Sequence, residues 1–184
     1  MERKYIVGIV ILIIVIGGAF LYANKVMKEK ESHNETEYLQ VSQNGVSIIV
    51  PGNWVKATSE SNSSLLAVAD PSSKNANGFS DISVNIERKN ITDSLDAEFT
   101  RNYDTLSVTT GYQVLFSGNV SGIGGYSGLE ADYISNLTGV AKQHKAIWIE
   151  KDGFAYVILC TAPQSSFNSK EMIFNQIIGN FKFN

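Results

Sequence analysis

Two turn sequences in the C-terminal half constrain the fold more than any other feature. Thr138-Gly139 and Asp152-Gly153 each stand between runs rich in β-branched and aromatic residues. A polar residue followed by glycine in that setting reads as a two-residue hairpin loop. If both loops have two residues, the register of three successive strands is set, because a one-residue slip would turn every side chain to the opposite face. Asp132 then faces Lys145, and His144 lies between Tyr133 and Thr161. One face carries Leu129, Ala131, Tyr133, Ala146, Trp148, Val157 and Leu159, and the other carries Ile147, Ile149, Tyr156, Ile158 and Cys160. Both faces are apolar near the centre, so both must be covered.

The rest of the chain supplies the cover. Strands are predicted at residues 38–41 and 46–50, around Asn44-Gly45, and Pro51-Gly52-Asn53 breaks the second of them. Short strands follow at 54–57 and 65–69. Residues 71–80, PSSKNANGFS, have no periodicity and read as a mobile loop. Ile82, Val84 and Ile86 alternate with polar residues, which predicts a half-buried strand. The period then changes. Leu95, Phe99, Tyr103 and Leu106 mark one face of a helix over 93–107, capped by Thr92 or Asp93, with Asp93, Asp96, Glu98 and Asp104 on a solvated side. Strands are expected over 112–120, 126–136, 140–151 and 154–162. Gly122-Ile123-Gly124-Gly125 precedes a strand rather than opening a helix, so it reads as a hairpin turn and not a phosphate cradle. A second helix over 169–180 is expected to start at an Asn168/Glu171 capping box, with Met172, Ile173, Gln176, Ile177 and Asn180 inward. Phe181 and Phe183 then close the chain as a short strand.

The N-terminal region sets the compartment. Tyr5 to Ala23 is an uncharged run of 19 residues, which as a helix spans roughly 28 Å, close to the hydrocarbon thickness of a bilayer. Four domains of organisation are expected: a cytoplasmic tail (1–4), a transmembrane signal anchor (5–23), a polar juxtamembrane stalk with His33 (24–36), and a globular domain (37–184). Arg3 and Lys4 on one side are balanced by Lys25, Lys28 and Lys30 on the other, so charge alone does not orient the anchor. The very short charged tail favours a single-pass protein of the cell membrane with its domain on the extracytoplasmic side. Cleavage near Ala19 is the competing reading. The one cysteine, Cys160, can form no internal disulfide, and none follows the apolar run to carry a lipid. Five glycosylation sequons, at Asn34, Asn62, Asn90, Asn119 and Asn136, lean toward export. The domain carries 10 Lys and Arg against 14 Asp and Glu, which is no footprint for nucleic acid.

Candidate chemistry is sparse. His144 is the domain's histidine, with no carboxylate evidently placed to orient it, and neither HExxH nor GxSxG occurs. Cys160 falls in an apolar strand, where thiols are inert. Glu130 and Asp132 sit two apart on one strand, which could be one side of a divalent-cation site but is more simply a solvated rim paired with Lys145. No catalytic, cofactor-binding or metal-binding residue is assigned, and no cofactor is expected.

The order of elements resembles a known family. VSIIVPGNWVKA leads to VADP and SVNIE, then to the helix TDSLDAEFTRNYDTL, then to GYQVL, GGYSGLEADYI and KQHKAIWIEKDGFAYVILCTAP, and finally to a helix ending IIGNFKF. This resembles the PsbP-like family over residues 38–183. The resemblance implies an α+β fold, an antiparallel sheet sandwiched between helices, and membrane-anchored relatives outside the cytoplasm. It transfers no metal ligand. The function expected is a non-enzymatic binding or assembly module for an envelope protein or small ligand. The alternatives are a hydrolase-type enzyme centred on His144 and a weak divalent-cation binder.

Overall fold

A computed structural model describes residues 37–184 apart from residue 138. The expected tail, anchor and stalk lie outside the described residues, as does Thr138 of the first turn. Among the described residues no helix is long and apolar enough to cross a membrane.

The strands are β1 (Tyr38–Gln43), β2 (Val46–Pro51), β3 (Val55–Lys56), β4 (Ser64–Ala69), β5 (Ser83–Asn90), β6 (Tyr112–Ile123), β7 (Tyr126–Ser135), β8 (Lys142–Lys151), β9 (Phe154–Pro163) and β10 (Lys182–Phe183). The helices are α1 (Leu95–Val108), between β5 and β6, and α2 (Phe167–Gly179), between β9 and β10. Seven strands form one antiparallel sheet in the order β3-β4-β5-β9-β8-β7-β6, and β1-β2-β10 form a smaller one.

The predicted register is the register of the structure. Asp132 pairs with Lys145, Tyr133 with His144, and His144 with Thr161. Asp152 and Gly153 take positive φ (52° and 76°) and make the two-residue turn. The turn between β7 and β8 is longer than expected. Its strands stop at Ser135 and resume at Lys142, so residues 136–141 connect them without shifting the pairing. Asn44-Gly45 and Gly124-Gly125 make the other tight turns, all four residues with positive φ. At Gly124 a Cβ would lie 2.6 Å from the Phe181 carbonyl oxygen, so that turn must be glycine on steric grounds as well.

Each face of the large sheet has its own cover. Leu95, Phe99, Tyr103 and Leu106 of α1 pack on Leu129, Ala131, Tyr133, Ala146, Trp148, Val157 and Leu159. Phe99 meets Trp148 edge-on at 5.9 Å, and Trp148 Nε1 donates to the Tyr103 hydroxyl at 3.0 Å. The opposite face, with Ile147, Ile149, Ile158 and Cys160, packs on Phe167, Phe174, Ile177 and Ile178 of α2 and on Val46, Ile48 and Val50 of β2. The fold is therefore a sheet covered by one helix on one side and by a helix plus a small sheet on the other. The simpler picture of a sheet between two helices omits that second sheet.

Local expectations fail where side chains choose among near-equal options. The cap of α1 is Ser94, which accepts from the Ala97 N–H, while Thr92 donates its hydroxyl to Glu98. The capping box of α2 does not form. The helix begins two residues earlier than predicted, after Ser166, with no side-chain cap. Phe167 is buried there, and Glu171 turns to Lys145. Of the predicted inward residues, Ile177 is buried and Ile173 packs on the core, Phe174 and Ile178 join them, and Met172 is exposed. Strand β5 is not half-buried, since Ser83, Asn85 and Glu87 are covered along with Val84 and Ile86. Its polar side is closed by hydrogen bonds, with Asn85 donating to Glu87 at 2.9 Å and accepting from the Ser64 hydroxyl at 2.6 Å. Residues 71–80 are also tied down. Buried Asp70 accepts from Ser72 N–H and Oγ, and Asn75 anchors the N–H groups of Asn77 and Phe79.

Candidate recognition site at the sheet edge

His144 is sealed within the sheet. It is 3% exposed, stacks on Tyr133 at 4.6 Å, and has both ring nitrogens in hydrogen bonds, Nδ1 with Thr161 Oγ1 at 2.9 Å and Nε2 with Ser135 Oγ at 2.8 Å. Burial, aided by the Lys142 charge, lowers its pKa to about 3. The ring is neutral at physiological pH and has no open nitrogen for a substrate. This removes the geometric basis for a hydrolase centred on His144. Cys160 is fully buried, and burial pushes its thiol far above the ordinary range, so thiolate chemistry is closed to it. The carboxylates of α1 lie outward, as read, with Glu98 held between Thr92 and Arg101.

Glu130 and Asp132 do come together, but around an ammonium. Lys145 Nζ lies 2.9 Å from Glu130, 3.7 Å from Glu171 and 4.0 Å from Asp132. Burial opposes the Lys145 charge, but the Glu130 hydrogen bond and the three carboxylates outweigh it and raise its pKa. The ammonium fills the position a divalent ion would need. Among the described residues no three His, Cys, Asp or Glu side chains are arranged to hold a metal. The cross-strand pair of Asp132 with Lys145 expected from the register is present as an ion pair at 4.0 Å. The direct hydrogen bond goes to Glu130, and Asp132 is left with its Oδ1 buried and unpartnered. Burial, reinforced by Glu130 and Glu171 and opposed by Lys145, raises Asp132 to about 6.

Beside this cluster runs β6, the outer strand of the large sheet. Its 12 residues include no charged residue and no proline. A bulge at Leu115 shifts the pairing between Val114–Tyr133 and Phe116–Asp132. Val114 packs toward α1, and Phe116 goes to the other face, beside Asp132. Gly118, opposite Glu130, leaves room for the Phe116 ring, since a Cβ there would meet Phe116 Cζ at 2.9 Å. The ring lies along the strand and is 49% exposed, with Leu115 exposed next to it. Sequence reasoning missed Phe116 because it treated 112–120 as one regular strand. The signal it had was a charge-free strand ending in a glycine-rich turn.

No protein-family model and no curated protein matches the chain. Solved structures do. The solution structure of cyanobacterial PsbP (CyanoP) from Synechocystis sp. PCC 6803 superposes with a TM-score of 0.57 at 9% identity, over 86% of this chain and 99% of that one. The crystal structure of LpqN, involved in cell envelope biogenesis of Mycobacterium tuberculosis, superposes with a TM-score of 0.54 at 15% identity, over 80% of this chain and 91% of that one. The fold of residues 37–184 is therefore PsbP-like, and at these identities the likeness concerns the fold alone.

Proposed function

We propose that this PsbP-like chain is a non-enzymatic binding or assembly module, held at a cell membrane through residues 5–23 and displayed on the extracytoplasmic side to engage an envelope protein. The observation that carries the reading is the contrast between interior and edge. The imidazole of His144 and the thiol of Cys160 are spent inside the sheet, while a long uncharged strand with an exposed aromatic ring stands beside incompletely neutralised carboxylates. A partner surface of that kind needs no catalytic group. The part that LpqN plays in cell envelope biogenesis supports an envelope role, by likeness of fold.

Two measurements test the reading. Protease treatment of intact cells should degrade residues 37–184 while sparing a small N-terminal fragment, and full protection would reverse the topology. Photo-crosslinking in membranes from probes placed on β6 should give a discrete adduct with an envelope protein. Absence of any adduct, together with no bound small ligand on mass analysis, would count against a binding module.

A further inference from the structure

We propose that the β6 edge is a strand-addition site for an extended, basic segment of a partner protein, with an arginine or lysine of that segment seated over the Phe116 ring and against Asp132. This deepens the binding-module reading and rests on it. Sheet edges present unpaired backbone N–H and C=O groups, and proteins usually blunt them with shortness, lysine, proline or bulges. Here β3 and β10 have two residues each and β1 has six, whereas β6 has twelve and no charge. Its bulge at Leu115 turns Phe116 toward the carboxylates, and the pairing is then regular from Phe116 to Val120, up to a second irregularity before the turn.

Charge identifies the occupant. Glu130, Asp132 and Glu171 share the one ammonium of Lys145, an excess of acid on this face. Asp132 Oδ1 is buried and accepts nothing, and burial makes the carboxylate hold a proton up to about pH 6. About 20% of the Asp132 side chain is open at this surface and its contact with Lys145 is long, at 4.0 Å, so a partner's cation would add to a weak pairing. An exposed aromatic ring beside carboxylates is the chemistry that binds a guanidinium or ammonium. In an added strand, alternate side chains point to one face, so every second residue could reach this row. A second copy of this chain does not fit the site. Its own β6 brings no cation, and two-fold pairing about an axis normal to the sheet would set both acidic clusters on the same face.

The test uses the full chain in detergent and a fluorescent ten-residue peptide alternating threonine with arginine. Control peptides carry citrulline or glutamate in place of arginine. The arginine peptide should bind measurably by anisotropy and weaken with added salt, and binding should slow hydrogen exchange of β6 amides. Phe116→Ala and Asp132→Asn should each weaken it by about tenfold while leaving circular dichroism near the parent's, and Asp132→Asn should not lower the thermal midpoint. Binding of the citrulline or glutamate peptide at equal strength overturns the proposal, as does protection confined to other strands or chain dimerisation through β6. If an envelope protein still crosslinks as strongly to the Phe116→Ala and Asp132→Asn chains, the edge assignment fails while the binding-module reading stands.

Discussion

The imidazole of His144 is a structural group whose cost is its pH dependence. Unfolded, it takes a proton near pH 6.5, and folded, only near pH 3. The lowered pKa means that the unfolded chain binds more protons between those values. Stability should therefore be full above about pH 6.5 and fall on acidification, with a slope approaching about 1.4 kcal/mol per pH unit. Thr161, Ser135 and Tyr133 face the ring without charge, and Lys142 adds repulsion. Asp132 acts with the opposite sign. Its folded pKa of about 6 lies above the unfolded 3.8, so it adds stability as pH falls through that window and partly offsets the histidine. Urea unfolding from about pH 7 to about pH 4 should show net loss in the parent, a flattened or reversed profile in His144→Gln, and a steeper loss in Asp132→Asn. An unchanged slope in His144→Gln would mean the ring is open to water in the folded chain.

At the scale of elements, the helices differ in what holds them. Helix α1 has a side-chain cap and a four-residue apolar face. Ser94→Ala should cost about 1 kcal/mol, whereas Asn168→Ala, at the capping box that does not form, should stay within about 0.5 kcal/mol. Along α2, Phe174 is fully buried and Met172 is 81% exposed. Phe174→Ala should then cost about 3–5 kcal/mol and Met172→Ala almost nothing. Chemical denaturation of the four variants separates these outcomes. Equal losses at residues 172 and 174 would restore the inward stripe that periodicity first suggested. Periodicity located α1 because its stripe is spaced evenly and its other face is charged. It misplaced α2 because apolar residues surround that helix on more than one side, and one residue of rotation is decided by what it packs on.

For the whole molecule, the last residues close two layers at once. Phe181 is fully buried, and Phe183 packs edge-on against Tyr126 and Tyr156 at 5.2 and 4.7 Å. Lys182 and Phe183 pair with β2, and Asn184 bonds to Gly45 and Ser47. This short strand joins the small sheet to the hairpin turn of β6 and β7, where the Phe181 carbonyl lies against Gly124. Removing residues 181–184 should cost more than Phe181→Ala alone, itself about 3–5 kcal/mol, and should expose the apolar side of β2. Thermal unfolding of the truncated chain together with dye binding reads both effects. A truncated chain as stable as the parent would make the small sheet an independent unit.

Features that depend on local chemistry could be read from the residues in order. The Asp152-Gly153 turn, alternation along strands and an even helical stripe made the pairing of β8 with β9, the two apolar faces and the packing of α1 legible, because each rests on neighbours within a few residues. The remaining features came from contacts between distant segments. Packing puts β1, β2 and β10 in a separate sheet, gives Lys145 Glu130 as its hydrogen-bond partner, seals His144, and makes β6 an edge with Phe116 exposed. Those outcomes turn on which strands lie side by side and which side chains compete for one donor, and distance along the chain carries neither.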